Sequence, residues 1–165
     1  MTIDLFREQI IETWRAHNGM MIHVIKNIPR GAMKATLSTH GGRGIAGQLA
    51  HIHTVRVWHL EAHARAFSRN LTKFGEGEVP TKAKLVKAFQ QSGKAVEDYL
   101  EMRIGKAGHI PSFKRNAVPT LMYFVSHEAH HRGSIMLTIK TSGIKIPETL
   151  KWGIWDMFKF RNSTT

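Results

Sequence analysis

Apolar residues recur at spacings of three and four along most of this chain, and the two-residue alternation of a half-buried strand is absent. Phe6, Ile10, Trp14, His17, Met21, Val24 and Ile28 mark a first helix. Thr2 is placed to cap it, and Asp4 falls in the first turn, where the helix dipole favours an acid. Pro29-Arg-Gly31 ends it, with a short second piece expected over Ala32 to Leu37. The next long helix is predicted from Ile45 to Leu71, with Ile45, Leu49, Ile52, Val55, His59, Ala62, Ala66 and Phe67 facing inward. On that helix His51 lies beside the stripe and His53 is expected on the opposite side. Thr81 caps a third helix whose core face is Leu85, Phe89, Val96, Leu100 and Ile104. A loop from Ala107 to Val118, containing Pro111, leads to a fourth helix with Pro119 in its first turn. Leu121, Phe124, His127, His131, Ile135, Met136 and Ile139 form its inward stripe, and it stops around Ser142-Gly143. Trp152, Trp155, Met157 and Phe158 then predict a short aromatic helical segment closing one end of the core. The fold class expected is all-α: a four-helix bundle forming one domain over residues 1–165.

Composition narrows the chemistry. There is no cysteine, which rules out disulfides, thiolate ligands and a cysteine nucleophile, so any thiol chemistry needs a thiol from outside. Whatever metal chemistry exists must therefore fall to the 11 histidines, helped by carboxylates. No apolar run approaches the roughly 20 residues of a membrane span, and the first residues do not resemble a signal peptide, so a cytoplasmic protein is expected. The net charge of +12 suits nucleic acid, anionic lipid or acidic small molecules as partners without choosing among them. Rows such as Arg65, Arg69, Lys73 and Lys82, Lys84, Lys87 are read first as solvated faces, and no nucleic-acid recognition motif accompanies them.

His127 and His131 stand four apart, which on a helix puts both imidazoles on one face, within reach of a single ion. Inward placement disfavours the charged imidazolium and leaves the neutral ring that a metal needs. A catalytic metal usually has three protein ligands, and His17, His51, His59, His63 and His130 are the candidates for the third. His59 and His63 make a second pair of equal spacing in a more polar neighbourhood. His127-Glu-Ala-His-His131 also matches the letters of a zinc-protease motif with Glu128 as base. Ser134 and Leu137 break its longer form, and no strand is evident to hold an extended substrate. The glycine-rich stretch Ser38 to Gly44, with Arg43, reads as a connector ahead of an anion cradle.

The His127…His131-Arg-Gly133 run, preceded by Gly47-Gln-Leu-Ala-His-Ile52, resembles the DinB-like (YfiT-type) metalloenzymes over nearly the whole chain. The resemblance implies a four-helix bundle with non-sequential helix order, often dimeric. It also implies a divalent metal ion (Zn, Ni, Mn or Fe) held by three histidines, which fall here on His51, His127 and His131. The choice of His51 over His59 rests on the resemblance alone. Ser134 stands where the family often has glutamine. Some relatives are transferases or isomerases using a low-molecular-weight thiol. This implies a metal-dependent enzyme acting on a small molecule through an external thiol or water, with Arg132 or Arg43 binding substrate carboxylates. A basic helical nucleic-acid-binding protein is the alternative, and a structural or interaction bundle whose histidines bind no metal is the third reading.

Overall fold

In a computed structural model describing residues 2–105 and 116–161, the chain is built from helices, with no strand among the described residues. Four are long: α1 (Ile3–Asn27), α2 (Ile45–His63), α3 (Lys82–Ile104) and α4 (Ala117–Thr141); a short α5 spans Glu148–Gly153. Side chains satisfy the free N–H groups where the sequence signalled starts. Thr2 Oγ1 accepts from Leu5 N at 3.3 Å, and Thr81 Oγ1 accepts from Lys84 N at 3.3 Å. Asn116 Oδ1 accepts from Val118 N at 3.1 Å, so α4 begins before Pro119, which falls in the first turn where its missing N–H removes no helical bond. Past α4, Gly143 turns the chain at φ 71°. The predicted connector ahead of α4, including Pro111, lies largely outside the described residues.

Two predicted elements are shorter than expected. Only Arg30–Ala32 turns, as a single 3-10 turn, in place of a helix over Ala32 to Leu37. The second long helix stops at His63, where Ala64 leaves helical geometry at φ −155°, eight residues before Leu71. Arg65, Arg69 and Lys73 therefore do not form a helical row, and Lys73 instead pairs with Glu61.

α1 packs chiefly on α3; α2 lies against α3 and α4, and α4 closes against α1. Consecutive α1 and α2 are not principal partners, so the helix order around the bundle is non-sequential. Two apolar clusters fill the interior. One joins Met21, Val24, Ile25, Leu49, Phe89 and Ile139; the other joins Trp14, Leu60, Val96, Leu100 and Phe124. Between them lies a polar seam described below.

The C-terminal aromatics sit differently from the prediction. Trp152, Trp155 and Phe158 are 59%, 75% and 76% exposed, whereas Leu150 and Gly153 are the buried contacts. Gly153 sits so close to His23, whose Nε2 donates to the Thr149 carbonyl at 2.8 Å, that a Cβ there would overlap the imidazole. Backbone proximity at Gly153, rather than indole burial, closes this end.

Candidate metal centre

The bundle brings His51 of α2 together with His127 and His131 of α4. One ring nitrogen from each lies within 4.8 Å of the other two. Ring centroids stand 5.5 Å apart for His51 and His127, 5.0 Å for His51 and His131, and 4.7 Å for His127 and His131. Bonds of about 2.1 Å to one ion place tetrahedral donors roughly 3.4 Å apart. The observed span is one that side-chain rotation can close. No hydrogen bond to another described residue occupies these rings, in contrast to His17, His23 and His53.

Burial lowers all three pKa values. Desolvation acts first on each. Arg43 and His127 add to it at His51, and His131 is brought to about 4 with help from His127, His51, His130 and Arg43. Glu128 partly opposes the effect at His127. Near neutral pH the cluster therefore offers three uncharged imidazoles, the donor form a divalent cation requires.

The other candidate ligands are not part of this group among the described residues. His17, a candidate third ligand, points its Nε2 at Glu128 Oε2, 3.0 Å away. His53, expected on the opposite side of α2, is fully buried: one ring nitrogen meets Ser92 Oγ at 3.1 Å and the other the Thr72 carbonyl at 2.7 Å. His130 is exposed beside His131. His59 and His63 pair with each other at 4.7 Å, away from the cluster.

The ion pair that sequence reasoning missed, Arg56 with Glu128, lies directly behind the histidines. Glu128 is fully buried, and Arg56 reaches it with two bonds of 2.7 Å, Nε to Oε1 and Nη2 to Oε2. Arg56 Nη1 also donates to Asn18 Oδ1 at 2.8 Å and Ser92 Oγ at 3.2 Å. Its guanidinium lies over the Trp14 and Phe89 rings, 4.8 and 4.5 Å from their centroids. Burial pushes the Glu128 carboxyl up, but Arg56 and His17 outweigh it and hold the group at about 2. Glu128 is thus an ionised structural anion, engaged on both oxygens, rather than a free base. The seam fixes the register of the helices bearing the histidines: Glu128 follows His127 directly on α4, and Arg56 lies five residues beyond His51 on α2.

A spacing signal for these residues existed. The buried line of α2 is Ile45, Leu49, Ile52, Arg56 and Leu60, and that of α4 is Leu121, Phe124, Glu128, Ile135 and Ile139. Each holds helical spacing through a charge. Reading Val55, His59, Ala62 and Ala66 as the inner face of α2 skipped Arg56: Val55 and His59 are half-buried, and Ala62 and Ala66 are exposed. His127 and His131 consequently flank the innermost line of α4, half-buried, facing the cleft toward α2.

Arg43 is exposed on the loop before α2, close enough for its charge to lower His51 and His131. Arg132 is half-buried next to His131, and its Nη1 is buried without a hydrogen-bond partner among the described residues. No described helix is long and apolar enough to cross a membrane.

A search of the curated proteins returned no match. A comparison with family models gave one over residues 1–153, described as the DinB family. That match spans all four long helices and the three clustered histidines and ends with α5, and the chain belongs to the DinB family.

Proposed function

We propose that this chain is a divalent-metal-dependent enzyme in which His51, His127 and His131 hold the ion. The proximity of three ring nitrogens, within 4.8 Å of one another, is the observation that carries this reading. Zn, Ni, Mn and Fe all suit imidazole ligands, and availability selects among them. When bound, the ion would supply Lewis acidity, lowering the pKa of a thiol or a water so that a nucleophile is available near neutral pH.

The chain's own residues bind and orient. Arg43, exposed and electrostatically close to His51 and His131, attracts an anionic substrate group. Arg132, whose Nη1 has no hydrogen-bond partner among the described residues, lies beside His131 and is available to a carboxylate. With no cysteine in the chain, a thiol enters as a cosubstrate of low molecular weight, and the reaction class is a transfer or a hydrolysis on a small molecule. The protein acts in the cytoplasm, and pairing of two copies is compatible with a site built within one chain.

Elemental analysis of protein purified without a histidine tag tests the core of this. One equivalent of a transition metal is expected, lost in each of His51→Ala, His127→Ala and His131→Ala while circular dichroism stays helical. Metal-free wild-type protein that binds duplex DNA with steep salt dependence would instead support the nucleic-acid alternative.

A further inference from the structure

We propose that His59 and His63 form a second metal site, separate from the three-histidine cluster, taking a late first-row divalent ion such as Ni2+, Cu2+ or Zn2+ through two imidazoles. They lie one turn apart at the end of α2, and their ring centroids are 4.7 Å apart, the same separation as His127 and His131. The buried His17 and His53, and His23 beside α5, have ring nitrogens tied to protein groups. No hydrogen bond to a described residue engages the rings of His59 or His63, which leaves their donor nitrogens available.

The surroundings hold one ligand and leave the other accessible. His59 is half-buried between aromatic rings: Tyr123 stacks on it at 5.1 Å, and Phe124 and Tyr99 meet it edge-on at 5.0 and 5.8 Å. Burial, with the charges of His63 and Arg103, holds the His59 ring at about 4, so it is neutral at physiological pH. His63 is exposed and supplies the second donor from solvent. Imidazole favours the later first-row ions, and affinity rises toward Cu2+.

Two features make this site the weaker of the two. No third histidine or carboxylate joins the pair among the described residues, and the charge of Arg103 opposes a cation beside His59. The remaining coordination positions fall to solvent or to an exogenous ligand. Tyr123 stacks on His59 and also on His127, at 6.2 Å with the rings 7° apart, so one aromatic ring separates the sites.

Calorimetric titration of untagged, metal-free protein with Ni2+ tests the proposal. Two binding steps are expected, and His63→Ala should weaken the second at least tenfold without altering the first. His51→Ala should do the reverse. The exposed loop variant His40→Ala should leave both steps unchanged. A second step that survives His63→Ala, or a single wild-type step that is lost in His51→Ala and kept in His63→Ala, overturns the second site. A single wild-type step that is lost in His63→Ala and kept in His51→Ala would instead sink the three-histidine reading and leave this one standing.

Discussion

At the scale of single residues, neighbouring side chains on α4 have opposite roles. No described residue hydrogen-bonds the His127 ring, which sits half-buried at the cleft, while Glu128 points into the interior and is held by Arg56 and His17. A helix turns about 100° per residue, so adjacent positions can face a site and a core. Glu128→Gln leaves the Arg56 guanidinium buried without its counter-charge and should destabilise the protein by about 3 kcal/mol, measured by urea unfolding. The double replacement Arg56→Met with Glu128→Leu removes both charges and should be less destabilising than the sum of the two single changes. Loss of stability equal to that sum would mean that the two side chains act independently.

Among elements, the caps at Thr2 and Thr81 were legible because they depend on a few consecutive residues. Thr81→Ala should cost about 1 kcal/mol, read from the unfolding midpoint. Close approach between helices was not legible. Gly93 on α3 lets α1 come near enough that an added Cβ would overlap the buried Asn18 amide, which is itself bound to Arg56. The Gly93 carbonyl also accepts from Trp14 Nε1 at 2.8 Å. Gly93→Ala should therefore destabilise by about 1–3 kcal/mol, despite alanine's higher helix propensity. Stabilisation on that substitution would show that α1 and α3 are less tightly engaged. Likewise, the aromatic content of the C-terminal segment suggested burial, but Gly153 makes the close contact and the indoles remain outside.

Across the whole molecule, the polar seam links four parts of the chain. It runs from Glu128 through Arg56 and Ser92 to His53 and the Thr72 carbonyl. Burial first, then the charge of Arg56, lowers His53 to about 4 against the ordinary 6.5, with the Thr72 hydrogen bond and Glu128 opposing. Between those values the unfolded chain binds a proton that the folded chain refuses, so stability rises with pH. The contribution is complete above pH 6.5 and is lost as the pH falls toward 4, by about 3 kcal/mol across that window. His59 adds in the same direction, less strongly because solvent screens it. Glu128 acts at lower pH: its stabilisation is present above 4.5 and fades toward 2. Urea unfolding of metal-free protein between pH 7 and 4.5 should show this slope, and His53→Gln should flatten it. An unchanged slope would place the acid sensitivity elsewhere.

The chain by itself determined four amphipathic helices, two of their threonine caps, the absence of thiolate ligands and a histidine pair on one helical face. These are local properties, set by spacing within a turn or by which residue types exist at all. Family resemblance, not spacing, selected His51 over His59 as the third ligand. Tertiary structure decided that His51 meets the pair, that His17 and His53 are tied up in the core, and that Arg56 and Glu128 face inward. A charged residue on a helix looks like surface until its partner is known. That partner lies on another helix, brought near only when the bundle closes, and burial without it would be prohibitive.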